Sequence, residues 1–156
     1  MDLEVIDRRS LIGKKLRGAT YTVSAIDVSD FLGVVPEPEY AAATSAYVTS
    51  LKQSGTPAPP SFAPFVAVLG LLKTFDWQDD FLFNYQTGTA MFGEQKIEFH
   101  APLIVEESVV INASVTDVYE KCGKRRFDVI EVSFVIESES ERSPIMSGQQ
   151  SYILFK

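Results

Sequence analysis

From Ser61 to Thr74 the chain is apolar with almost no polar interruption: Phe62, Phe65, Val66, Val68, Leu69, Leu71 and Leu72. Fourteen residues (61–74) suit a buried helix and exceed a typical strand. Ser61 is the expected N-cap, and Pro64 is tolerated because it lies in the first turn. A helix apolar nearly all round is expected to be enclosed, with Phe65, Val68, Leu69 and Leu72 among its deepest side chains. Downstream the pattern changes to strands, expected over about 90–101, 107–120, 126–138 and 145–155. In the first of these, Gln95, Ile97 and Phe99 fall on one face, and Glu94, Lys96, Glu98 and His100 on the other.

Short polar connections join the strands. Lys121-Cys122-Gly123-Lys124 links the second to the third, and Ser138 to Pro144 links the third to the fourth. Short loops between long strands predict antiparallel hairpins. Residues 75–89 are mixed aromatic and acidic, fitting a loop or a short strand.

Upstream, residues 10–18 read as an irregular lead-in and Thr20-Tyr21-Thr22-Val23 as a short strand. Ser24 or Asp27 is placed to cap a helix reaching about Gly33, with Ile26, Phe31 and Leu32 as its buried side. Pro36 and Pro38 break the pattern, residues 39–53 return to helical spacing, and Thr56-Pro57-Ala58-Pro59-Pro60-Ser61 forms a stiff connector. The expected architecture is α+β: one curved antiparallel sheet around a long buried central helix, in a single domain over residues 1–156.

Composition narrows the function. At 156 residues, with 46% apolar and 22% charged residues, the chain fits one globular domain. No stretch approaches the ~20 apolar residues of a membrane span, and Met1-Asp2-Leu3-Glu4 is unlike a secretory signal. With one cysteine, Cys122, neither an internal disulfide nor a multi-cysteine metal site is expected. A cytoplasmic location follows as the expectation. The net charge of −7 disfavours nucleic acid as a partner. The basic cluster Lys121, Lys124, Arg125 and Arg126 reads as a solvated turn or as a small phosphate site.

Four blocks in order carry a family resemblance: Ile12-Gly13-Lys14-Lys15, then Ala58-Pro59-Pro60-Ser61-Phe62, then Gly93-Glu94-Gln95 with Phe99-His100-Ala101-Pro102-Leu103, then Val115 to Lys121. Together they resemble the MaoC-like dehydratases, and above all their N-terminal, FAS1-like dehydratase domain. The resemblance implies the hot-dog fold. It also implies binding of acyl thioesters of coenzyme A or acyl-carrier protein, without metal or cofactor. Catalytic members of the wider superfamily carry an Asp-x-Asn-Pro-x-His string, which supplies the acid–base groups that add or remove water. Here the corresponding stretch, Phe31 to Tyr40, has no Asp, no Asn-Pro and no His.

The only histidine, His100, reads either as a structural group at a sheet edge or as an acid–base residue partnered by Glu94 or Glu37. Substrate binding is expected near the start of the central helix. There the N–H groups of Phe62 and Ala63 would hold a thioester carbonyl, beside Ser61, Glu94 and Gln95. Lys124, Arg125 and Arg126 are candidates for the carrier phosphates. Met91, Phe92, Phe81 and Phe83 read as plain core or as the lining of an acyl tunnel. The resemblance implies an acyl-thioester-binding subunit of a 3-hydroxyacyl or enoyl thioester dehydratase or hydratase, paired with a catalytic hot-dog as a homodimer or heterodimer. A non-catalytic homo-oligomer that binds acyl-CoA is the alternative. A thioesterase ranks last, because residues 61–73 contain no carboxylate to activate water.

Overall fold

The computed structural model describes residues 8–35, 55–74 and 90–155. A 3-10 turn at Arg8–Leu11 precedes β1 (Ala19–Thr22) and helix α1 (Ala25–Val34). A second 3-10 turn, Pro60–Phe62, leads into helix α2 (Ala63–Thr74). Four strands follow: β2 (Ala90–Phe99), β3 (Ser108–Cys122), β4 (Arg126–Ser138) and β5 (Pro144–Phe155). The bounds lie within a residue or two of those the pattern predicts. The readings for residues 36–54 and 75–89 lie outside the described residues.

The strands form one antiparallel sheet in the order β1-β3-β4-β5-β2. β3–β4 and β4–β5 are the expected hairpins. β2 does not pair with its sequence neighbour β3; it crosses to β5 and becomes an edge strand.

Ser24 caps α1 from an extended conformation, its hydroxyl accepting from the Asp27 N–H at 3.0 Å. Asp27 in turn accepts from the Tyr21 hydroxyl at 3.1 Å. Burial, reinforced by the Asp27 carboxylate, pushes the Tyr21 phenol up to about 12. The buried contact of α1 is Val28, while Phe31 and Leu32 are half-buried. Ile26, expected inside, is 72% exposed, because Val28, not Ile26, falls on the inward stripe of this short helix.

Helix α2 rests on β1 and β3. Its buried face is Ala63, Val66, Ala67, Gly70, Leu71 and Thr74, a regular i, i+3, i+4, i+7 stripe. This corrects the expectation for the opposite face: Phe65 is 40% exposed, and Val68, Leu69 and Leu72 are half-buried. The physical reason is close approach. A Cβ on Gly70 would lie 2.9 Å from Ile111 Cγ1, so the small residues, not the largest, meet the sheet. At the far end of the helix the Arg17 guanidinium donates to the Lys73 carbonyl at 3.4 Å.

Candidate functional site

β2 carries the Gly-Glu-Gln motif as a β-bulge. Phe92 pairs with Tyr152 and Gln95 with Gln150, leaving Gly93 and Glu94 opposite Ser151. The Glu94 N–H donates to Ser151 Oγ at 2.8 Å, and a Cβ on Gly93 would sit 2.6 Å from that hydroxyl. A side chain at Gly93 would therefore displace the hydroxyl that accepts from Glu94. The extra residue changes the phase of the strand, so Phe92 shares a face with Gln95, Ile97 and Phe99. A regular strand would put Phe92 on the opposite face.

A second bulge lies in β3, where Thr116 is the extra residue between Val115, opposite Val132, and Asp117, opposite Glu131. Both bulges fall at the same level of the sheet. They separate the row Val115–Val132–Gln150–Gln95 from the row Val118–Ile130–Tyr152–Phe92. One row further along, Gly148 lets Phe134 lie across the sheet; a Cβ there would approach Phe134 Cζ to 2.8 Å. In these two inward-facing rows Gln150 is fully buried and Tyr152 nearly so. The Tyr152 hydroxyl donates to Gln150 Oε1 at 2.6 Å, and the Phe92 ring meets the Tyr152 ring edge-on at 6.3 Å. Burial raises the Tyr152 pKa well above its ordinary value. The Nε2 groups of Gln95 and Gln150 are buried and have no hydrogen-bond partner.

The start of α2 differs from expectation. Phe62 N–H donates to the Pro59 carbonyl at 2.9 Å and Ala63 N–H to the Pro60 carbonyl, while Pro60 and Pro64 carry no N–H. The donors expected for a thioester carbonyl are thus engaged in the 3-10 turn that the proline pair sets up. Ser61 caps nothing; its hydroxyl is buried and unpartnered. Phe62 is a core side chain, packed edge-on to Phe31 at 5.4 Å and against Phe65 at 5.2 Å.

His100 is exposed just past the end of β2, its Nε2 2.8 Å from Ser147 Oγ. Glu94 sits six residues back along the strand, roughly 15–20 Å at about 3.3 Å per residue, so the two make no dyad. Glu37 lies outside the described residues. Glu94 itself is exposed and makes a loose contact with Lys96 at 3.8 Å. Met91 pairs with Ile153 on the face opposite Phe92, so those two do not line one tunnel; Phe81 and Phe83 are outside the described residues.

Lys124, Arg125 and Arg126 occupy the exposed β3–β4 turn, where Gly123 N–H bonds the Arg125 carbonyl. From Arg126 to Val132, the β4 residue paired with Gln150, is about 20 Å along the strand. The basic turn and His100 therefore lie at opposite ends of the sheet. Cys122 is exposed in the same turn. Among the described residues no group of His, Cys, Asp and Glu is placed to hold a metal.

Sequence reasoning missed two features. Asp128 is buried in β4 and forms an ion pair with Arg8 from the first 3-10 turn. Gln150 is the other. The alternation Met146, Gly148, Gln150, Tyr152, Leu154 marks it as inward-facing in an otherwise apolar strand face, a signal readable from the residues themselves.

A five-stranded antiparallel sheet curved about a helix is the α+β architecture of the hot-dog class. Residues 10–146 match the family described as "FAS1-like, dehydratase domain region", and the chain belongs to that family; solved structures similar to the chain include MaoC-like dehydratases. No relative among curated proteins matches the chain. The HadBC (3R-hydroxyacyl-ACP dehydratase) complex of Mycobacterium tuberculosis superposes with a TM-score of 0.64 at 16% identity, over 92% of this chain and 96% of that one. The ChsH1-ChsH2 complex of the same organism gives 0.61 at 19% identity, over 92% and 83%. A MaoC-like dehydratase of Rhodospirillum rubrum gives 0.61 at 13%, over 93% and 92%. At these identities the likeness concerns the fold.

Proposed function

We propose that the chain is an acyl-thioester-binding subunit of a 3-hydroxyacyl or enoyl thioester dehydratase or hydratase, and that a second hot-dog subunit supplies the acid–base groups. One observation carries this reading: a member of a dehydratase family lacks the Asp-x-Asn-Pro-x-His string, and its one histidine faces a serine hydroxyl, with no carboxylate among the described residues bonded to it. Two of the superposed structures are complexes of two named subunits, which supports a hot-dog partner.

The partner has a surface to meet. Among the described residues β2 is an edge strand ten residues long, with Met91 and Phe92 each 48% exposed and Phe99 53% exposed. Such an edge invites strand addition and association. Substrate binds on the inward face at Gln95, with Phe62 holding the start of α2 in place on the β1–β3 side of the sheet. Lys124, Arg125 and Arg126, about 20 Å away along β4, take the phosphates of the carrier arm. No described helix is long and apolar enough to cross a membrane, and the chain acts as one domain in the cytoplasm.

The test is hydration of crotonyl-CoA. The isolated chain is expected to show none, and co-expression with a hot-dog subunit carrying Asp-x-Asn-Pro-x-His is expected to restore turnover. Turnover by the isolated chain that vanishes in His100→Ala would overturn the reading and make His100 catalytic. Tight acyl-CoA binding by a homo-oligomer that stays inactive beside any such subunit would favour the purely binding alternative.

A further inference from the structure

Gln95 and Gln150 stand directly opposite each other on β2 and β5, on the inward face. Paired residues at such positions have their Cβ atoms about 5 Å apart, so the two carboxamides are neighbours. Gln150 is wholly buried, and its oxygen is occupied by the Tyr152 hydroxyl at 2.6 Å. That bond turns the Gln150 –NH2 away from Tyr152. Both Nε2 groups are buried without a partner. Buried amide donors are nearly always satisfied, so two together in adjacent strands require an explanation.

We propose that the paired carboxamides of Gln95 and Gln150 form a two-donor seat for the thioester carbonyl oxygen of an acyl-CoA or acyl-carrier-protein substrate. This deepens the reading above and rests on it, replacing the engaged helix-start N–H groups as carbonyl donors.

The chemistry selects the ligand. Two free donors side by side call for an atom that accepts twice and donates nothing, and a carbonyl oxygen does this. A water in the same place would accept from both, but its own two protons would then need acceptors. An anion is disfavoured, because the neighbouring inward positions are Val115, Val132, Val118, Ile130, Ile97 and Phe92, all apolar. The same surroundings suit an acyl chain. Both bulges lie immediately beside this row of the sheet, and bulges are a means of re-aiming side chains beside a site.

The experiment compares butyryl-CoA with S-butyl-CoA, a thioether that keeps the chain and the pantetheine amides but lacks the thioester carbonyl. Calorimetric titration of the full chain, alone and with the catalytic subunit, is expected to show butyryl-CoA binding about tenfold or more tighter than S-butyl-CoA. Gln95→Met and Gln150→Met should each weaken butyryl-CoA by about tenfold and leave S-butyl-CoA unchanged. Gln95→Met should also hold or raise the Tm, since it removes a donor that lacks an acceptor. Independently of any variant, the carbonyl stretch of 13C-labelled butyryl-CoA should move to lower frequency in the complex. Equal binding of the two compounds, variants indifferent to the carbonyl, or an unshifted stretch overturns the carbonyl seat while leaving the thioester-binding role standing. Failure of both compounds to bind in either setting overturns both.

Discussion

Where α2 meets β3 the contact is close and apolar. Gly70 lies over Ile111, Leu71 and Val66 are wholly buried, and the buried Thr74 hydroxyl donates to the Leu71 carbonyl at 2.7 Å. Where β2 meets β5 the strand bulges, Phe92 and Phe99 stay about half exposed, and two buried amide donors go unmatched. The two flanks share one sheet, yet among the described residues one is closely packed and the other keeps aromatic rings exposed and amide donors unmatched. Unsatisfied buried groups lower stability, so they are concentrated where binding or association can compensate.

Substitutions can break or sharpen that contrast. On the packed flank, Leu71→Ala should cost about 2–5 kcal/mol in urea unfolding, the range for a full core leucine. A cost below about 0.5 kcal/mol would mean that α2 does not bury this face. Gly70→Val should cost about 1–3 kcal/mol, because its side chain would enter the space of Ile111. Leu69, adjacent in sequence but half-buried, should respond less: Leu69→Ala is expected to cost about 1–2 kcal/mol. A Leu69 loss equal to that of Leu71 would show that the outer face of α2 is covered in the assembled protein.

On the open flank, Phe99→Ser should change stability by only about 0.5 kcal/mol while weakening association, measured by sedimentation at micromolar concentration. An unaltered assembly would place the interface elsewhere. The smallest effect concerns pH. The Tyr21 phenol is raised to about 12, so the unfolded chain loses that proton first as pH climbs past its ordinary value near 10. Its contribution is complete below about pH 10 and is lost as pH rises toward 12. Tyr21→Phe should flatten this alkaline decline in Tm.

Local signals were enough for much of the architecture. Ser24 and Asp27 marked the start of α1, and Ser24 is the cap, because a side chain that accepts from an N–H three residues on acts within one turn. The strand bounds and the two hairpins followed from alternation and polar turns, and the fourteen-residue apolar run marked the helix even though its first turn is 3-10. The motif blocks identified the family. What stayed hidden is non-local. In α2 nearly every position is apolar, so polarity could not choose the inward face; the closeness of β3 at Ile111 chose it, favouring Ala63, Ala67 and Gly70 over Phe65. The proline pair before Ser61 engaged the helix-start donors in a tight turn, which spacing alone did not reveal. The bulge at Gly93 and Glu94 turned Phe92 to the inner face, and the crossing of β2 to β5 set Gln95 against Gln150, 55 positions apart. Alternation assigns faces within a strand, but only the pairing of strands decides which residues become neighbours.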